Sequence, residues 1–236
     1  EENSMVTDRL NYDFPMYPLG SLFGNGYTKK RLEQMFAYRR NITENDLHAQ
    51  SKYDGKNLDI AVTGASGLIG KELVPYLTTA GHKVEKLVRR RPRKGELCWN
   101  LHNGQISNLN DKDAVVHLAG ENTGSLIRWS KWKKNEILDS RVRGTAILAK
   151  HLASLEKPPK VLVCASAMGY YGSYGDDILT EDSKSGEDYF SHVVREWEAA
   201  ARPAIDAGIR VVFLRFGIVL SPEGGALQRM LLPARV

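Results

Sequence analysis

Short, uninterrupted apolar runs alternate with longer amphipathic stretches through most of this chain. Residues 58–63, Leu-Asp-Ile-Ala-Val-Thr, lead straight into glycines at 64, 67 and 70. An apolar run of this length, bounded by turn residues, predicts a buried strand, and the pattern after it predicts a helix over 67–80 closed by Gly81. The same reading predicts strands at 83–88, near 96–100, and at 114–118, 161–165 and 211–215. Helices are expected at about 130–154, stopping before Pro158-Pro159, and at about 187–207, ending at Gly208 with a kink or break at Pro203. Apolar strands that alternate with helices predict an α/β fold with a parallel sheet covered on both faces.

The first 57 residues differ in pattern. Asn11 to Tyr17 reads as the end of a strand, and residues 20–41 as an amphipathic helix with Leu32, Met35, Phe36 and Arg39 three and four apart. One strand and one helix cannot bury a core of their own. Residues 1–42 are therefore expected to be the remnant of another domain, 43–57 a polar linker, and 58–236 the main domain.

Strand, glycine loop and helix in that order open a Rossmann-type, doubly wound parallel sheet. Gly64, Gly67 and Gly70 permit a sharp turn, close approach of a ligand and tight packing of helix on strand. The helix then offers free N–H groups and its positive dipole end to a pyrophosphate. Gly64, Ser66, Gly67, Leu68, Ile69 and Gly70 are accordingly expected to bind a dinucleotide. A chain that prefers NAD carries an acidic residue about 20 positions beyond this loop, where it holds the ribose 2′-hydroxyl. Here that place holds Arg89-Arg90-Arg91. A guanidinium fork suits a 2′-phosphate that a carboxylate would repel, so NADP(H) is favoured over NAD, with Arg89 and Arg90 as the phosphate ligands. Leu118, Ala119 and Gly120 end the 114–118 strand and let the backbone approach the cofactor's sugar, and Ser166 ends the 161–165 strand.

Composition narrows the function classes. The 236 residues are 42% hydrophobic and 26% charged, ordinary for a globular protein, and no apolar run approaches the length of a membrane span. Cys98 and Cys164 are the only cysteines and neither lies in a metal-ligand pattern, so reduced thiols in a cytoplasmic setting are expected, without a metal. The net charge of +5 fits a basic surface or a phosphate pocket better than nucleic-acid binding. Arg128-Trp129-Ser130-Lys131-Trp132-Lys133-Lys134 mixes base and aromatic as nucleic-acid binders do, yet it opens a helix in which Ile137, Leu138 and Val142 recur at helical spacing. A charged helix face is the simpler account.

Several segments taken in order resemble the extended, sugar-nucleotide epimerase-like branch of the short-chain dehydrogenase/reductase superfamily. They are Thr63–Gly70, His117–Gly120, Gly144-Thr145, Tyr171-Gly172, Thr180-Glu181 and Arg215 with its following loop. Gly120-Glu121-Asn122, Gly169-Tyr170-Tyr171-Gly172 and Trp197-Glu198 are similar in turn to an atypical "epimerase family protein" group, sometimes labelled as SulA-type. In some members of that group a START/polyketide-cyclase-like (SRPBCC) domain precedes the Rossmann part, and residues 8–41 look like its final strand and helix. The resemblance implies a nucleotide-linked oxidoreductase or epimerase acting on a small molecule, and a substrate region after Arg215 of which only the beginning is present.

The chain departs from that superfamily where its chemistry resides. Active members use a Tyr-x-x-x-Lys pair, in which the tyrosine moves a proton and the lysine lowers its pKa. Counting back from Glu198 places Phe190 and Val194 at those positions, and Ala167 at the usual serine or threonine. Arg141 stands where an asparagine is usual. Tyr170, Tyr171, Glu121 and His192 are the titratable groups left for catalysis, and no catalytic residue is assigned. The alternative is a non-catalytic module that senses NADP(H) or engages a protein partner.

Overall fold

The computed structural model describes residues 7, 9–12, 19–53, 55–101, 103–121 and 130–231. The chain divides into two compact units, residues 1–55 and 56–236.

The first unit contains α1, Leu19–Ser51. This helix runs well past the expected end at 41 and takes in residues 43–51, which their polarity assigns to a linker. The reason is local: no glycine or proline occurs between Gly26 and Gly55, and Glu44, Leu47, Ala49 and Gln50 all favour helix. Polarity signals exposure, and an exposed segment without a breaker can still be helical. Asn11 and Tyr12 are irregular where a strand was expected, and 13–17 lie outside the described residues.

The second unit is a six-stranded parallel sheet in the order β3-β2-β1-β4-β5-β6. Its strands are β1 (Asp59–Thr63), β2 (Lys83–Val88), β3 (Glu96–Cys98), β4 (Ala114–His117), β5 (Val161–Ala167) and β6 (Arg210–Phe216). This is the Rossmann-type sheet expected from the pattern, with its strand order reversing between β1 and β4. A two-residue strand β7, Leu220–Ser221, follows and bridges back to Gly224 and Gly225.

Alternation along the strands supplies both covered faces. Ile60 and Val62 point to the face where α2 (Leu68–Thr79) packs through Val74. Ala61, Val115, Leu162 and Cys164 point to the other, under Leu148, Ala149 and Leu152 of α3 (Lys131–Ala153). Gly81 ends α2 as expected. Its φ is +89°, and the bonds Gly81 N–H to Thr78 O (3.1 Å) and His82 N–H to Leu77 O (3.1 Å) close the last turn.

The expected 187–207 helix is broken as proline chemistry requires. It forms α4, Tyr189–Ala199, and α5, Arg202–Asp206, with Pro203 in the first turn of α5 where its missing N–H costs nothing. Asp188 caps α4 by accepting the Ser191 N–H at 2.8 Å, which sets the start two residues later than the pattern suggested. A seven-residue helix, α6 (Gly225–Leu231), ends the described chain. At the edge of the sheet opposite the glycine loop, buried Lys112 bonds Asp59 (2.6 Å) and Glu85, tying β1 to β2.

Candidate functional site

The loop after β1 and the loop after β4 flank the switch point of the sheet, and their backbones touch. Gly64 has φ +69°, and a Cβ on it would lie 2.7 Å from Leu118 C and 2.8 Å from Ala119 N. Gly70 presses α2 onto the loop: a Cβ there would overlap the Gly64 carbonyl oxygen and stand 2.6 Å from Ala65 Cα. Both glycines are thus required by packing. Gly67 is different. It is exposed, and a Cβ on it would meet only Gly64 O, at 3.3 Å.

The start of α2 is left open. Gly67 is its N-cap and brings no side-chain acceptor. The Gly67 N–H donates to Gly64 O (2.9 Å) and the Lys71 N–H to Gly67 O (2.9 Å). The N–H groups of Leu68, Ile69 and Gly70, the three residues before Lys71, have no acceptor within the helix. Gly67 at this N-terminus lines a cavity of about 630 Å³, within the range of small-molecule sites.

That cavity carries mostly positive charge. Ser66 and Gly67 form one wall and Leu118, Ala119 and Gly120 another. Lys71, Lys86, Arg89 and Arg90 supply cations, and Glu96 the one acidic side chain among the lining residues. The two arginines differ. Arg90 is clamped on Glu96, Nη1 to Oε2 at 2.7 Å and Nη2 to Oε1 at 2.5 Å, and also reaches Arg91 O at 3.0 Å. The Arg90 fork and the Arg93 N–H hold the Glu96 carboxyl below its ordinary range. Arg89 is exposed and has no hydrogen bond or ion pair among the described residues.

A second polar cluster lies at the same sheet edge, on β5 and β6. Ser166 and Arg215 are register partners. Ser166 Oγ donates to Glu198 Oε1 at 2.5 Å, and Arg215 grips the same carboxylate through Nε (2.9 Å) and Nη2 (3.0 Å). Arg215 Nη1 donates to Tyr171 Oη at 2.8 Å, and its guanidinium stacks 3.6 Å from the Tyr170 ring centroid. Glu198 and Tyr171 hold Arg215 firmly protonated. Burial, with the Glu198 charge added, pushes the Cys164 thiol up to about 12, so it stays a protonated, unreactive thiol.

A third set of bonds ties these edges together inside the domain. Buried His117 bridges Thr63 Oγ1 (2.7 Å) and Thr145 Oγ1 (3.1 Å). Thr63 Oγ1 also accepts the Ala119 N–H (3.3 Å), and Thr145 Oγ1 the Trp197 indole N–H (3.0 Å). Full burial pushes His117 down to about 4.

The model of the NAD dependent epimerase/dehydratase family matches residues 60–236, which span this sheet and all three clusters. The chain belongs to that family.

Solved structures agree. A nucleoside-diphosphate sugar epimerase from Corynebacterium glutamicum superposes with TM-score 0.74 at 40% identity, covering 83% of this chain and 42% of that one. The human epimerase family protein SDR39U1 (isoform 2), solved with NADPH, gives 0.68 at 38% identity, covering 75% and 60%. MoeE5, solved with UDP-glucose and NAD, gives 0.52 at 26%, covering 70% and 57%. The chain spans about three-fifths of the length of the curated relatives it matches, 58% and 60% for two of them.

The residues expected to bind the dinucleotide fall into two groups. Gly64, Ser66, Gly67, Arg89, Arg90, Leu118, Ala119 and Gly120 line the large cavity together. Gly70 is buried beneath the loop. Leu68 and Ile69, in the first turn of α2, do not line the cavity; Leu68's side chain lies against Gly224 and Gly225 instead. Ser166 is also absent from the cavity wall, its hydroxyl turned onto Glu198. Lys71, Lys86 and Glu96 were not singled out from the sequence. Lys71 lies one helical turn past Gly67 and was legible in principle; Glu96 enters only because β3 pairs beside β2.

Of the two residues that the spacing from Glu198 singled out, Phe190 is half exposed and Val194 buried. Arg141 is half-buried, donates to Glu121 O (3.0 Å) and Ile137 O (3.3 Å), and stacks over Trp197. His192 is exposed and lines a groove between α3 and α4 rather than the cavity at the glycine loop. Among the described residues no group of three metal-ligating side chains comes together, and no helix is long and apolar enough to cross a membrane.

Proposed function

We propose that this chain binds NADP(H) in the cavity at the glycine loop. The observation that carries the reading is the uncapped first turn of α2, which opens onto a cavity lined by Lys71, Lys86, Arg89 and Arg90. Free N–H groups and surplus cations suit the pyrophosphate and an additional phosphate. No acidic side chain follows β2 directly to claim a ribose 2′-hydroxyl; Glu96 is neutralised by Arg90. The two unpaired cysteines fit a reducing, cytoplasmic setting. The reading of residues 1–42 as the end of a START/polyketide-cyclase-like domain rests on the likeness of residues 8–41 alone.

When bound, a nicotinamide dinucleotide supplies a hydride donor or acceptor. This chain's residues hold its phosphates and orient it along the switch point. As an enzyme of its family the protein would be an oxidoreductase or epimerase working at a hydroxyl-bearing carbon of a small molecule. Phe190 and Val194 favour the second reading, binding without turnover, because neither side chain can move a proton.

Fluorescence titration tests the reading. The protein is expected to bind NADPH saturably and NADH at least tenfold more weakly, and to leave NADPH unoxidised with a simple aldehyde. Equal affinity for the two dinucleotides would overturn the NADP(H) preference, and rapid oxidation would overturn binding without turnover.

A further inference from the structure

A smaller cavity of about 360 Å³ adjoins the first and shares one residue with it, Arg89. The floor comes from Asn100, which follows β3. The far wall is one face of α3, where Asp139, Ser140, Arg143 and Gly144 recur at helical spacing. A space of this size is at the lower end of small-molecule sites and takes a phosphorylated nucleoside fragment, not a whole dinucleotide. It is therefore an annex to the larger cavity.

Charge defines what the annex would take. Arg89 and Arg143 both line it, both are exposed, and neither side chain has a hydrogen bond or ion pair among the described residues. The annex is thus flanked by two guanidiniums whose donors are unspent. Asp139 is the one carboxylate on its wall, so cations outnumber anions by two to one. Ser140 is already used: its hydroxyl donates to Ile137 O (3.1 Å) and accepts the Glu121 N–H (3.3 Å).

Arg90 is set apart from this pair. Three of its N–H donors are taken by Glu96 and Arg91 O, out of the five a guanidinium carries. Its charge is matched by a carboxylate in a two-pronged pair, the geometry in which Arg binds carboxylates most firmly. The run Arg89-Arg90-Arg91 looks uniform in sequence, yet one member is a ligand-ready cation and its neighbour a brace.

We infer that Arg89 and Arg143 together form a phosphomonoester subsite that reads the 2′-phosphate of the dinucleotide, and that Arg90 does not. This inference rests on the proposed binding of NADP(H) and goes beyond it by naming a specificity residue on α3, far in sequence from the glycine loop. Arg143 is a binding residue here, with no part assigned in any chemical step.

Titration with adenosine 2′,5′-bisphosphate and with 5′-AMP separates the 2′-phosphate from the rest of the cofactor. Arg89→Ala and Arg143→Ala are each expected to weaken the bisphosphate at least tenfold while changing 5′-AMP by less than threefold. Arg90→Ala is expected to leave the ratio of the two affinities within threefold of wild type. Arg143→Glu reverses the charge at an exposed position and is expected to weaken the bisphosphate further, and thermal melts of each variant check that it is folded. A ratio unchanged in folded Arg143→Ala and Arg143→Glu proteins, with wild type still preferring NADPH, overturns the subsite and leaves the NADP(H) reading standing. If wild type binds neither dinucleotide at millimolar concentration, that reading falls and this inference with it.

Discussion

His117 Nδ1 stands 2.7 Å from Thr63 Oγ1, across the register pair that joins the carboxyl ends of β4 and β1. The pair lies directly before the two loops that frame the cavity at the glycine loop. Thr63 Oγ1 also holds the Ala119 N–H, so the ring helps fix where the loop after β4 begins. Both ring nitrogens are bonded and Trp99 packs edge-on at 5.4 Å, leaving no space for the water a charged imidazole would need.

This burial makes stability depend on pH. His117 is pushed from an ordinary 6.5 to about 4. The unfolded chain therefore binds a proton below about pH 6.5 that the folded chain refuses until about pH 4. Stability is full above pH 6.5 and falls as the pH drops between those limits, by roughly 3 kcal/mol for this group at about 1.4 kcal/mol per unit. Half-buried His151, also pushed down by burial, acts with the same sign. Urea unfolding between pH 7 and pH 4.5 is expected to show the loss, and His117→Gln to flatten most of it. A wild-type protein equally stable at both pH values would contradict the account.

The glycine loop separates packing from binding. Gly70→Ala drives a Cβ into Gly64 O and the Ala65 backbone, so it is expected to destabilise the domain by about 2–4 kcal/mol, as overpacking of backbone on backbone does. Gly67→Ala meets only Gly64 O, at 3.3 Å, and is expected to cost less than about 1 kcal/mol while weakening NADPH at least tenfold. Thermal melts and titration of the two variants distinguish them. Gly67→Ala binding NADPH as wild type does would show that the ligand does not approach this residue.

Glu198 is the hub of the β5–β6 edge, bonded by Ser166 and twice by Arg215. Its side chain and that of Arg215 are 12% and 19% exposed, too little for water to replace a lost partner. Glu198→Gln leaves the guanidinium without its counter-charge and is expected to cost about 2–3 kcal/mol, less than a fully buried pair. Chemical denaturation measures it. A change under about 0.5 kcal/mol would mean the cluster is solvated and energetically neutral.

Much of the fold was legible along the chain because it is written in local patterns. Apolar runs at Ile60–Val62, Val115-Val116 and Leu162–Cys164 could be satisfied only by strands buried on both faces. Gly81 and Pro203 placed an end and a break that depend on backbone chemistry alone. The polar stretch 43–51 misled for the complementary reason: it contains no breaker, and polarity by itself does not end a helix. Residues at the cavity were found where one short segment supplies them, as in 64–67 and 118–120.

What the amino-acid sequence determined by itself was therefore the order of strands and helices and the glycine turn that opens onto the cavity. Which arginine is spent and which is unspent was decided by tertiary structure alone. Pairing of β3 beside β2 carries Glu96 to Arg90, and the packing of α3 brings Arg143 to the annex that Arg89 also lines. A charged side chain's role follows from its partners, and partners remote in sequence meet only when the sheet has formed.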